Sequence, residues 1–226
     1  MTNIHAIILA RGNSKEIKNK NLTKVNSKPL IYWSIKNALN SKKIDHVWVS
    51  SDSSRILNCA SKYKAKIIKR PMSLSLDNSS SDLAWLHAVK KIQKKFKIDY
   101  IVGIQPTSPI RDKDDFDRAI SFYFKNKFDS VFSCCELKDY LVWKTKGKKL
   151  IPNYKKRNVI QKIKTQYLEN GSFYIFSKKN FIKKKIRLFG KIGNFIQSKL
   201  KSFQIDTHED LFIVNTLMGK LKNDKK

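Results

Sequence analysis

The sequence predicts an open α/β sheet, on two observations. Short apolar runs rich in β-branched residues alternate along the chain with stretches that carry apolar residues on one helical face, and parallel strands need such crossovers. The first of those runs, Ile7-Ile8-Leu9-Ala10, breaks abruptly into the polar, cationic segment Arg11-Gly12-Asn13-Ser14-Lys15, with Lys18, Lys20 and Asn21 just beyond. A strand that ends in a small cationic loop is how α/β proteins hold phosphates, because backbone N–H groups and ammonium ions converge there. Neither standard phosphate fingerprint is present: the chain has no GxxxxGK[ST] and no GxGxxG.

The elements follow in order. Ile4–Ala10 reads as a buried strand, too short for a membrane span. Pro29 to Leu39 reads as a helix with proline near its first turn. Ile44–Ser50 is a second strand, and Asp52 most simply caps the helix carrying Ile56, Leu57 and Ala60. Lys66-Ile67-Ile68 makes a third strand, closed by Arg70-Pro71. The polar loop Arg70–Ser81 leads into a helix over Asp82–Phe96. A fourth strand, Tyr100–Ile104, runs into Gln105-Pro106-Thr107-Ser108-Pro109-Ile110-Arg111, where two prolines stiffen the backbone. A helix over Asp114–Lys125 and a strand over Ser130–Cys134 come next. From Glu136 to Leu168 the periodicity loosens. Asn170-Gly171 reads as a turn into a strand. Asp206 ends a last strand, Thr207 and Asp210 form a capping box, and Leu211, Ile213, Val214 and Leu217 make the stripe of a final helix.

Composition narrows the class. At 226 residues, 41% of them hydrophobic, the chain is long enough for one sizeable core. Three cysteines, two of them adjacent, fit neither a disulfide framework nor a zinc site, and suggest reduced thiols in a cytoplasmic protein. No apolar run approaches a membrane span, and the start lacks the pattern of a signal peptide. The net charge of +30 suggests a polyanion partner, yet the excess is almost all lysine and is spread along the chain. Only seven arginines occur. Base readout leans on the bidentate arginine fork, so the charge argues against nucleic acid and for compositional bias or attraction of anionic substrates.

Three motifs together carry a resemblance. The segment Ala10, Arg11, Ser14, Lys15, Lys20, Asn21, the run Gln105–Arg111, and Asn170-Gly171-Ser172-Phe173-Tyr174 resemble the signatures of the sugar-acid cytidylyltransferases, the CMP-sialic acid synthetase family. Glu16 and Lys18 depart from the glycine and proline usual in the first motif. The resemblance implies one doubly wound domain over residues 1–226, a small β-rich dimerisation lobe inserted at about 136–168, and a homodimer. It implies that CTP and a sugar acid, a nonulosonate such as sialic, legionaminic or pseudaminic acid, give a CMP-sugar and pyrophosphate. A 3-deoxy-octulosonate activity, or a non-catalytic polyanion-binding relative, is the alternative. Arg11 and Lys15 are expected on the triphosphate, with Lys20 offsetting the charge of the departing pyrophosphate. Ala10, Asn13, Ser14 and Asn21 would complete the nucleotide loop, and Arg70, Asp77, Ser79 and Ser81 would meet the base and ribose. Gln105, Thr107, Ser108, Lys144, Gln161 and Asn170 are the expected sugar-acid residues. The family pattern D-I-D-T holds Mg²⁺; here it reads Gln204-Ile205-Asp206-Thr207, leaving Asp206 as metal ligand.

Overall fold

The computed structural model describes residues 2–137, 142–152 and 165–223. Its centre is a seven-stranded sheet. In chain order the elements are β1 (Ile4–Leu9), β2 (Lys24–Val25), β3 (Lys28–Pro29), α1 (Leu30–Leu39), β4 (His46–Ser51), α2 (Ser54–Lys62), β5 (Lys66–Lys69), α3 (Ser81–Ile92), β6 (Tyr100–Ile104), α4 (Asp115–Lys125), β7 (Ser130–Leu137), β8 (Trp143–Lys146), β9 (Lys149–Pro152), β10 (Gln166–Ser177), α5 (Lys178–Lys184), β11 (Ile192–Gln197) and α6 (His208–Asn223). The sheet order is β11-β7-β10-β6-β1-β4-β5, and β10 alone runs antiparallel to its neighbours. β2 with β3, and β8 with β9, form small separate hairpins. Of the lobe expected at about 136–168, the described residues comprise the β8–β9 hairpin and the flanking ends of β7 and β10.

Side-chain alternation explains why both faces are covered. Ile4, Ala6 and Ile8 of β1 pack with Val47 and Val49 of β4 against Ile31, Ile35 and Ala38 of α1, Ile56 and Ala60 of α2, and Phe116 and Ile120 of α4. Ile7, one residue out of phase, joins Trp48, Ile101 and Phe176 against Trp85, Val89 and Ile92 of α3 and Phe181 of α5. Strand period two thus feeds two helical layers, the doubly wound arrangement. Trp85 is fully buried and lies over Gly103; a Cβ there would come within 2.8 Å of the indole, so β6 needs glycine at that point. Burying an indole of this size stabilises the α3 face by roughly 2–3 kcal/mol. A third cluster, Ile17, Val25, Leu30, Ile205, Val214 and Met218, docks α6 beside the first hairpin.

Several local expectations are corrected. Asp52 does not cap α2: its Oδ1 accepts from the Gly12 N–H at 2.9 Å and faces Arg70 at 3.8 Å, while Ser53 stands at the N-cap. Asn170 and Gly171 do not turn into a strand but lie inside β10, where the pairing with β7 shifts register between Glu169 and Tyr174. The backbone before Asp206 is not a strand; it is tied down by the Ile205 N–H bonding the Thr107 carbonyl at 2.8 Å. The helix expected over 82–96 is α3, which ends at Ile92. Thr207 and Asp210 do form the capping box, with Asp210 Oδ2 2.8 Å from the Thr207 N–H and Thr207 Oγ1 3.2 Å from the Asp210 N–H.

Candidate active site

β1 leads through α1 to β4 on one side, whereas the chain leaving β6, on the other side of β1, goes on to the far half of the sheet, and this reversal opens a crevice at the carboxyl ends of the strands. A cleft of about 320 Å³ lies there, lined by Arg11 and Ser14 after β1, by Arg70 and the loop to Ser81 after β5, by Gln105 to Thr107 after β6, and by Gln204 and Asp206 before α6. Among the expected site residues, Arg11, Ser14, Lys20, Asn21, Arg70, Asp77, Ser79, Ser81, Gln105, Thr107 and Asp206 share this one cleft.

The first loop is held rigidly. Ala10 is buried, and its N–H bonds the Ser50 carbonyl at 3.1 Å, so it shapes the loop without facing the cleft. Buried Asn21 donates from Nδ2 to the Arg11 carbonyl at 3.0 Å, which fixes the turn that carries Arg11. Lys15 stands at the rim, and Asn13 is exposed beside it.

The cations are each matched to an acid. Arg11 Nη1 lies 2.7 Å and Lys15 Nζ 3.1 Å from the two oxygens of Asp77. Lys15, and then Arg11, hold the Asp77 carboxyl below the usual carboxylate range. Lys20 Nζ donates to Asp206 Oδ1 at 2.8 Å and to the Ile205 carbonyl at 2.9 Å. Arg70 is 4% exposed; its Nε donates to Ser75 Oγ at 3.0 Å, and burial lowers its pKa against the opposing charge of Asp52. Asp77 therefore bridges the two cations of the first loop.

The Gln105–Arg111 turn is built around an internal arginine. Arg111 donates to Ser172 Oγ (2.8 Å), Ser34 Oγ (3.0 Å), the Gln105 carbonyl (2.9 Å) and the Ser172 carbonyl (2.7 Å). Burial pushes its pKa down to about 9, against the opposing charge of Asp115. It clamps β10 to the turn and so aims Gln105. At Gly171, φ is +61°, and a Cβ there would lie 2.5 Å from Gln105 Oε1 and 3.2 Å from Gln204 Oε1. Glycine is required twice over at this point, for the left-handed backbone and for the approach of both amides.

Three expected sugar-acid residues fall elsewhere. Ser108 is buried, and its Oγ donates to the Asn170 carbonyl at 3.0 Å. Asn170 is also buried: Oδ1 accepts from Ser133 Oγ at 2.6 Å, and Nδ2 donates to Gln197 Oε1 at 3.0 Å. With these atoms engaged, both residues support the wall of the cleft and do not line it. Lys144 is exposed on the β8–β9 hairpin, outside the cleft. Gln161 lies outside the described residues. Sequence reasoning misses Ser75, which holds Arg70, and the apolar lining residues Leu74 and Leu76. The alternation Ser73-Leu74-Ser75-Leu76 is their only signal.

Asp112, Asp114 and Asp115 bring carboxylates within 4.8 Å of one another, but each is already ion-paired to Lys201 or Arg118. Lys201 Nζ sits 2.6 Å from Asp112 and 2.8 Å from buried Asp115, and Arg118 also bonds Asp115. None of the three lines the cleft.

A cationic cleft at the switch point of a doubly wound sheet defines a nucleotide-binding α/β protein. The chain matches the cytidylyltransferase family model over residues 5–223 and belongs to that family. It is 32% identical to the post-translational flagellin modification protein B of Campylobacter coli, over 99% of this chain and 97% of that protein. It is 31% identical to the pseudaminic acid cytidylyltransferase of Campylobacter jejuni, over 91% of each. It is 34% identical to the N-acylneuraminate cytidylyltransferase A of Danio rerio, over 92% of this chain but 49% of that longer protein. The structure of a CMP:2-keto-3-deoxy-manno-octonic acid synthetase complexed with CTP superposes with a TM-score of 0.72 at 14% identity, covering 97% of this chain and 99% of that one, and shows the shared fold.

Proposed function

We propose that this protein transfers a cytidylyl group from CTP to a nonulosonate, a sugar acid of the sialic, legionaminic or pseudaminic type, giving a CMP-sugar and pyrophosphate. The observation that carries the reading is the convergence, in one cleft, of the cations Arg11, Lys20 and Arg70 with Gln105, Thr107 and Asp206. The hydroxyl oxygen of the sugar acid forms a bond to the α-phosphorus as its O–H bond breaks and the proton passes to water. The bond from that phosphorus to the bridging oxygen breaks, and pyrophosphate leaves in line. Arg11 and Lys15 exchange Asp77 for the triphosphate, so the nucleotide gains two cations already placed. Lys20 faces the leaving charge. Arg70 and the loop through Asp77, Ser79 and Ser81 enclose base and ribose, while Gln105 and Thr107 orient the sugar acid. Positioning and charge neutralisation supply the rate, as phosphoryl transfer requires.

Asp206, an exposed carboxylate lining the cleft beside Lys20, would hold a hard cation such as Mg²⁺, which takes oxygen ligands. Bound there, the metal would supply charge neutralisation on the phosphates. A homodimer is supported by exposed apolar side chains at and beside the second hairpin: Trp143, Leu150, Tyr167 and Leu168, of which Leu150 is 69% exposed. Free cysteines and the use of CTP favour the cytoplasm. Among the described residues no helix is long and apolar enough to cross a membrane. Incubation with CTP, Mg²⁺ and a panel of sugar acids, followed by assay of pyrophosphate and CMP-sugar, tests the reading.

A further inference from the structure

We infer that Gln204 is a specificity-determining residue for the acceptor: with Gln105 it reads an uncharged group of the sugar acid that carries both a donor and an acceptor, a hydroxyl or an acylamino substituent. The inference rests on the functional reading above and adds the residue that selects the acceptor.

The two carboxamides come from different segments of the chain. Gln105 comes from the turn after β6, Gln204 from the segment before α6, and both oxygens crowd the point above Gly171 where a side chain would otherwise begin. Both residues line the cleft. Among the described residues neither carboxamide has a hydrogen-bond partner in the protein, whereas nearby Asn170, Ser108, Ser172 and Arg111 are all bonded. Their backbones are fixed: the Gln105 N–H bonds the Ser172 carbonyl at 3.4 Å, its carbonyl accepts from Arg111 at 2.9 Å, and Ile205 next to Gln204 bonds Thr107. Two amides with immobile backbones and unused polar atoms, facing one spot in a cleft, are suited to a ligand and contribute nothing visible to the fold.

Their chemistry selects the ligand. A carboxamide offers an acceptor oxygen and two donors, so a pair matches a group that both gives and takes a hydrogen bond. It carries no charge with which to hold a cation strongly. Asp206, two residues on, points instead to Lys20 and is the anionic group of this segment. The residue preceding Ile205 is thus freed from balancing charge on the nucleotide side, and it serves the acceptor side through its contact with the Gly171 edge.

The test uses Gln204→Leu, which keeps the approximate volume and removes the polar atoms. The sugar-acid KM should rise about tenfold or more, equivalent to about 1.4 kcal/mol of lost transition-state and ground-state binding. The CTP Kd by calorimetry and the Mg²⁺ concentration for half-maximal rate should stay within about twofold. With a deoxy or de-acylated acceptor lacking the group that is read, parent and variant should show the same KM. A sugar-acid KM unchanged in the variant overturns the inference, as does a variant whose defect is an increased Mg²⁺ requirement, since that places the Gln204 carbonyl on the metal. If the unaltered protein turns over none of the acids, the functional reading fails and this inference with it. An active parent with an unchanged KM in the variant removes this inference alone.

Discussion

Substituting alanine for Gly171 separates backbone strain from site chemistry. At φ +61° a Cβ costs about 1–2 kcal/mol, because the left-handed region crowds it against the next carbonyl. The methyl would also lie 2.5 Å from Gln105 Oε1, a contact that cannot persist. Since that oxygen is the end of a flexible side chain, Gln105 rotates away instead of forcing the strands apart. The stability loss is then the strain alone, which lowers Tm by roughly 2–8 °C in a chain of this size. The loss of Gln105 alignment falls on the acceptor: the sugar-acid KM should rise about tenfold, with CTP binding near the parent value. Gly147 supplies the comparison. Its φ is also +61°, but nothing lies within 4 Å of the position its Cβ would take. Gly147→Ala should leave the sugar-acid KM unchanged. Differential scanning calorimetry and steady-state kinetics on both variants settle the matter. Equal KM values in Gly171→Ala and the parent would refute the placement of Gln105 at the acceptor.

Three further outcomes follow from the same geometry. Asp206→Asn removes the carboxylate beside Lys20, and turnover should fall by a factor of about 100 or more while CTP still binds through Arg11 and Lys15; near-normal Mg²⁺-dependent turnover would place the metal elsewhere. His5 is 1% exposed, accepts from Trp48 Nε1, and burial first, then His46, lower its pKa to about 4. A depressed folded pKa means that stability is complete above the unfolded value near 6.5 and is lost as pH falls toward 4. Unfolding free energies from urea titrations at pH 7.5 and pH 5 should therefore differ by about 2 kcal/mol, a slope that His5→Leu should flatten. If the lysine excess is compositional, duplex DNA should bind weakly and be released near physiological salt; submicromolar, sequence-selective binding at that salt would contradict this.

Local features are legible in the sequence, and long-range ones are not. β1 with the loop through Asn21, and β6 with the turn through Arg111, are contiguous strand-to-loop segments, and their residues do meet in one cleft. The capping box of α6 is equally local. Asp52 reads as a helix cap because it stands two positions before Ser54, the first residue of α2, whereas its actual partner is the Gly12 N–H, 40 residues away. Nothing in the local sequence tells those two roles apart. Asn170 is expected at the acceptor, yet its amide is used up by Ser133 and Gln197, partners 37 and 27 residues away. β11 leaves little trace because it is a half-exposed edge strand, with Ile192 and Ile196 both open to solvent, and its sequence carries no continuous apolar run. Lys201 reads as one more surface lysine, but it is 9% exposed and bonds Asp112 and Asp115. A lysine-rich chain hides the few lysines whose charge is structural.

The central claim is cytidylyl transfer to a sugar acid, and one measurement meets it directly. The purified protein is incubated with α-labelled CTP, Mg²⁺ and, separately, sialic, legionaminic, pseudaminic and 3-deoxy-octulosonic acids, with ATP and GTP as alternative donors. The expected result is Mg²⁺-dependent release of pyrophosphate together with a labelled CMP-sugar for at least one nine-carbon acid, with CTP used well over either purine nucleotide. Equal turnover with a purine triphosphate, or no CMP-sugar from any of the nine-carbon acids, would contradict it.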